Sequence, residues 1–202
     1  MFLMRHAESL FNAEKNRTGD DPGIADPGLT ARGAEQARDI AAFLSRAGIR
    51  RIVSSPYTRA LETAAIVADP LGLAITVDAG VGERAAYSCD VGTPSARLRE
   101  RWPQLDLDHL DDVWWPDFEE SESALAARCA RFRGALVEAG DWTGLLVVSH
   151  WAFIRELTGL AVRNGTVLRI DLAAAVPPPA VVVKVPADSG VAPARSPRRA
   201  RP

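Results

Sequence analysis

Three short stretches hold the residue types from which phosphate chemistry is built: Arg5-His6-Ala7-Glu8, Ser54-Ser55-Pro56-Tyr57-Thr58-Arg59, and Ser149-His150. A guanidinium presents a planar fork that matches two phosphate oxygens and stays charged at every working pH. An imidazole can attack phosphorus when its ring is neutral, and neighbouring guanidiniums disfavour imidazolium, so Arg5 and Arg59 are expected to lower the pKa of His6. Ser55 followed by Pro56 reads as a helix cap with proline at the first helical position, which would aim free backbone amides at the same anion.

For these groups to converge, the elements carrying them must end at one place. Short apolar, β-branched segments at Phe2–Met4, Arg51–Ser54, Ala74–Val77, Leu145–Ser149, Val167–Leu172 and Val181–Val185 read as strands. Segments at about Thr30–Arg46, Pro56–Ala68, Pro94–Arg101, Ser121–Glu138 and Ala152–Leu160 have apolar residues three and four apart and read as helices. This alternation predicts an α/β fold: a three-layer α/β/α arrangement with an open, mostly parallel sheet and helices on both faces. The strands near 145–149 and 181–185 are read as buried on both faces. In such sheets ligands bind beyond the carboxyl ends of the strands, and the three reactive stretches follow the first, second and fourth strands.

Two stretches interrupt the alternation. Asn12–Leu29 reads as a polar loop, and Gly80–Glu120 as a loop and helix insertion forming a lid. The expected organisation is one domain over 1–185, with the lid at about 80–120. Residues 186–202, with four arginines, one aspartate and few large apolar groups, read as a disordered tail.

At 202 residues with 47% hydrophobic and 25% charged residues, the chain can bury one sizeable core. The formal charge of −2 gives no global reason for nucleic acid or an anionic membrane as partner, so any bound anion must meet a local cation cluster. Cys89 and Cys129 stand apart from each other and from His partners, which suggests neither a disulfide framework nor a zinc site. Together with the lack of a long apolar leader, this points to a cytoplasmic protein needing no metal or other cofactor. Oligomeric state has no signature in the sequence.

Arg5-His6-Ala7-Glu8 with Asn12, then Ser55-Pro56-Tyr57-Thr58-Arg59-Ala60-Leu61-Glu62-Thr63-Ala64, then Ser149-His150, resembles the histidine phosphatase superfamily in its phosphoglycerate-mutase-like branch. Gly19, Asp20, Leu29, Thr30, Gly33, Gln36 and Ala37 fall in that family's order between the first two motifs, and the resemblance covers about residues 1–172. It implies that His6 is the phosphoacceptor, that Arg5, Arg59 and His150 clamp the phosphoryl group, and that Asn12 adds a neutral donor. It further implies a carboxylic acid in the loop after the third strand, where Gly82-Glu83-Arg84 puts Glu83 as proton donor to the leaving oxygen. Ala7 and Trp151 stand where the family often has glycine, and the indole should reshape the pocket wall.

The expected activity is hydrolysis of a small phosphate monoester through phosphohistidine on His6. A phosphoglycerate-type mutase is the alternative, kept open by Arg84, because mutases of the family have Glu-Arg there. A non-catalytic phospholigand-binding module is the third reading, against which the intact His6, Arg59 and His150 set argues. Trp102, Trp114, Trp115 and Tyr87 read as anchors of the insertion more readily than as a substrate wall, and His109 as a solvated loop residue.

Overall fold

Side chains alternate across a strand, and along the first strand this decides the layering: Leu3 and Met4 are both fully buried yet belong to opposite cores. In the computed structural model, which describes residues 1–117 and 119–183, the order is β1 (Phe2–Arg5), α1 (Leu10–Thr18), α2 (Ala31–Leu44), β2 (Arg51–Ser54), α3 (Thr58–Ala68) and β3 (Ile75–Val77). It continues with α4 (Ser95–Arg101), α5 (Glu122–Ala139), β4 (Leu145–Ser149), α6 (Trp151–Thr158), β5 (Val167–Ile170) and β6 (Ala180–Val183). The sheet runs β3-β2-β4-β1-β5-β6, with the first four strands mutually parallel and β5 antiparallel to both its neighbours. Met4, Ile52, Leu146 and Val148 pack under α2 and α3, while Leu3, Leu145, Val147 and Leu168 pack under α5 and α6. The expected three-layer α/β/α fold with a mostly parallel sheet is the one observed. Among the described residues no helix is long and apolar enough to cross a membrane.

All five residues of β4 are buried, as its continuous apolar run predicts. The same expectation fails for the last strand. β6 lies at the sheet edge with Val181 68% and Val182 52% exposed, and Lys184 interrupts its apolar run in the sequence. Positions 184 and 185 of that expected strand, and the tail over 186–202, lie outside the described residues.

The segment Asn12–Leu29 is also not wholly loop, because α1 occupies its beginning. Ser9 and Asn12 form a capping box at the start of α1, and Gly19 closes it in the left-handed conformation. Only Phe11 of this helix is buried, so no apolar stripe announced it. The insertion Gly80–Glu120 has a small core of its own, where Leu98, Leu107 and Leu110 pack with Leu61 of α3 and Val77 of β3. The Trp114 indole donates to Thr93 O at 2.8 Å and meets Tyr57 edge-on at 4.7 Å, in keeping with the anchoring role. His109 is exposed, as expected, with one ring nitrogen 2.9 Å from Val77 O.

Leu146, central in β4 and fully buried, should destabilise the protein by about 2–5 kcal/mol when replaced by alanine. Val182→Ala on the exposed edge should stay within about 0.5 kcal/mol of the parent in the same urea titration.

Candidate active site

The parallel register of β1 with β4 pairs Arg5 with Ser149, so the next residue of each strand, His6 and His150, emerges at the same level. His6 N donates to Ser149 O at 2.9 Å, and the two imidazoles lie with centroids 5.1 Å apart. On the other side of β4, Ser54 pairs with Val148, which carries Ser55 beside His150. Sheet hydrogen bonding thus brings residues about 50 and 145 positions from His6 to one crevice beyond the carboxyl ends of three strands.

His6 is 2% exposed, and its Nδ1 lies 2.7 Å from Ala7 O. A carbonyl can only accept, so Nδ1 carries the hydrogen and Nε2 keeps its lone pair. Burial lowers the His6 pKa well below 6.5, and Arg59 and then Arg5 lower it further. The direction is the one the sequence implies, but desolvation rather than guanidinium repulsion leads. The loop beneath His6 is tightly packed: a Cβ on Gly33 would sit 2.0 Å from Glu8 O, and Ala7 N donates to Thr63 Oγ1 at 3.1 Å.

Arg5 donates through one Nη to Val162 O at 2.8 Å, and its buried Nε has no partner. Burial brings the pKa of Arg5 down to about 10, which leaves it charged at neutral pH. Arg59 is 2% exposed, over the Tyr57 ring, and donates to Cys89 O at 2.7 Å and Asp90 Oδ1 at 3.0 Å. His150 is fully buried at the start of α6, with Nε2 2.8 Å from Ser55 Oγ and Nδ1 without a partner. Burial, reinforced by Arg59, also lowers its pKa well below the usual value.

Glu83 reaches the same helix start from the insertion. Its carboxylate accepts from Trp151 N at 3.0 Å and Ala152 N at 2.8 Å. Burial, then the charge of Asp90, raises its pKa above the ordinary value, while Arg59 and Arg5 act the other way. Trp151 itself is 36% exposed, with Arg155 5.3 Å from its ring. Asn12 Oδ1 accepts from Ser9 Oγ and Asn164 Nδ2, both at 2.9 Å, which orients the amide and commits its oxygen.

The structure corrects the reading of Ser55-Pro56 as the helix cap. Helix α3 begins at Thr58 with Tyr57 as cap, and the Thr58 amide donates to Asp26 Oδ1 at 2.8 Å. The protein's own carboxylate therefore fills the position where a free amide was expected to meet the ligand. Ser55 has a different use as partner to His150.

Several residues outside the sequence motifs shape this site. Asp90 is the buried counter-charge of Arg59. Asp26 also accepts from the Thr58 hydroxyl and from Thr93, tying three segments together. Asn164 bonds His6 O as well as Asn12. Arg128 and Glu120 form a buried ion pair behind Glu83. None stands in a local pattern, and the Asn164-Gly165 turn dipeptide is the one signal that could have drawn attention.

The arrangement offers a neutral imidazole lone pair, two guanidiniums and a carboxyl group of raised pKa, which suits transfer of an anionic group to nitrogen. A bifunctional protein of Mycobacterium tuberculosis is 31% identical over 179 residues, covering 86% of this chain and 48% of its own length, so the chain spans about half of that relative. A probable phosphoglycerate mutase GpmB of Salmonella paratyphi B is 36% identical over 193 residues, covering 85% of this chain and 84% of its own. Among solved structures, a mycobacterial glucosyl-3-phosphoglycerate phosphatase has the same fold, with a TM-score of 0.58 at 23% identity over 83% of this chain and 87% of that one. The profile of the histidine phosphatase superfamily (branch 1) matches residues 1–176, and the chain belongs to that family.

Proposed function

We propose that the chain is a phosphatase that hydrolyses a small phosphate monoester through a phosphohistidine on His6, with Glu83 as proton donor. The observation that carries this reading is the pair of buried, unpartnered polar atoms in one crevice, Arg5 Nε and His150 Nδ1, beside the free Nε2 of His6. Unpaired buried donors are costly, and an oxyanion satisfies both. Arg5, Arg59, His150 and the Asn12 amide hold the phosphoryl oxygens. His6 Nε2 forms a bond to phosphorus as the ester P–O bond breaks, and Glu83 delivers its proton to the departing oxygen. In the second half-reaction Glu83, now ionised, takes a proton from water as the water oxygen attacks phosphorus and the P–N bond breaks. Two guanidiniums supply the positive charge, so the proposed route uses no metal or other cofactor, and the partner is the small-molecule ester itself.

The names of the relatives and the Glu83-Arg84 order favour one second reading, a mutase that returns the phosphoryl group to another hydroxyl of the substrate. The two differ in whether water reaches the phosphohistidine. With 3-phosphoglycerate and glycerol 3-phosphate assayed side by side, free phosphate should greatly exceed 2-phosphoglycerate. Rapid isomerisation with negligible phosphate release would assign the mutase, and no turnover of any ester in a broad panel would leave a binding module.

Rapid quenching without acid should trap phosphate on His6, and His6→Ala should lose on the order of 10⁴-fold or more in turnover while keeping its fold. Activity should persist in the presence of a chelator.

The pH dependence follows from Glu83. Its protonated form is the acid and its pKa is raised, so kcat/KM for an alkyl phosphate should fall as pH rises through that pKa. Glu83→Gln should lower kcat/KM by about 10²- to 10⁴-fold and abolish that basic limb. Retention of the limb in the variant would remove Glu83 from the role.

A further inference from the structure

The mechanism above leaves unexplained a guanidinium whose five N–H groups are all engaged. Arg128, on α5 and 8% exposed, donates from Nε to Glu120 Oε1 at 2.8 Å. One Nη donates to Gly80 O at 3.1 Å and Gly82 O at 2.8 Å, and the other to Glu83 O and Glu120 Oε2, both at 2.9 Å. Glu120 returns the favour to the same loop, its amide donating to Ala85 O at 3.1 Å and its carbonyl accepting from Arg84 Nε at 2.8 Å. The main chain of the loop from Gly80 to Ala85 is thus bonded to one buried ion pair, while the Glu83 carboxylate is held by the first amides of α6.

A buried ion pair contributes little net stability, since desolvation offsets the attraction, and apolar replacements are often neutral. Geometry is what this one supplies. Proton transfer demands a donor within about 3 Å of the leaving oxygen, and a misplacement of about 1 Å is expensive in rate. We infer that Arg128, braced by Glu120, is a positioning residue that fixes Glu83 for proton delivery to the leaving group. The inference rests on Glu83 being the proton donor, and the experiment separates the two.

The test compares kcat/KM for benzyl phosphate, whose alkoxide needs a proton to depart, with that for 2,4-dinitrophenyl phosphate, whose phenolate does not. In Glu83→Gln the benzyl-to-dinitrophenyl ratio should fall by about 10²-fold or more. In Arg128→Lys, which keeps the charge but loses the fork, the ratio should fall at least roughly tenfold, with the basic limb of the benzyl phosphate profile displaced. The double variant Glu83→Gln/Arg128→Lys should be no worse than Glu83→Gln alone. Equal losses on both esters, or additive losses in the double variant, would reduce Arg128 to a structural part. A Glu83→Gln ratio like the parent's would instead overturn the role of Glu83 itself. Should Arg128→Lys fail to fold, Glu120→Gln gives the same readout: it leaves the three carbonyl contacts and removes only the brace, so a smaller loss confined to benzyl phosphate is expected and an equal loss on both esters contradicts the inference.

Discussion

Burying the Arg59 guanidinium is the constraint around which the rest of the site is arranged. A lone charge taken out of water is unfavourable by several kcal/mol even after relaxation, and here it lies among a second guanidinium and two imidazoles. Asp90 supplies the counter-charge at 3.0 Å, with 1% of its own side chain exposed. Its other oxygen is fixed by the amides of Ala86 and Tyr87, and the neighbouring Cys89 carbonyl takes a further Arg59 donor. The insertion between β3 and α5 thus supplies the counter-charge of Arg59 and forms a wall of the crevice.

The layering and the histidine pair were legible because they depend on local signals. Apolar runs ending in Arg5-His6 and Ser149-His150 announce buried strands with reactive groups at their carboxyl ends, and parallel pairing does the rest. The errors have equally local causes. Three valines in a row look alike in a buried strand and at an edge, and β6 is the edge. Helix α1 buries one side chain, so it rests on its caps rather than on an apolar face. Ser55 has the chemistry of a cap but spends its hydroxyl on His150. What no pattern revealed are the partners distant in sequence, such as Asp90, Asp26, Glu120 and Arg128. One carboxylate in an acidic stretch is indistinguishable from the next until the chain is folded.

Asp26 shows how far such a partner can reorganise a site. Its backbone is held at φ 37°, a conformation unfavourable for a residue with a Cβ, and its carboxylate bonds Thr58 and Thr93. This occupies an amide of the α3 amino terminus with a negative charge belonging to the protein. In the proposed mechanism, recognition of an incoming anion is therefore left to side chains, those of Arg5, Arg59, His150 and Asn12. Guanidinium forks discriminate by geometry, whereas a helix terminus attracts any anion of suitable size.

Burial also acts in opposite senses on the two kinds of titratable group collected here. It disfavours the cationic form of His6 and His150 and the anionic form of Glu83, lowering the first two pKa values and raising the third. The proposed route starts from a neutral His6 and a protonated Glu83, and one physical cause favours both. Water admitted to the crevice would weaken both shifts together, protonating the nucleophile more readily and ionising the acid. The packing of Asp90, Trp114 and the Arg128–Glu120 pair around the crevice accordingly favours the protonation state from which the proposed route starts, before the hydrolytic water enters.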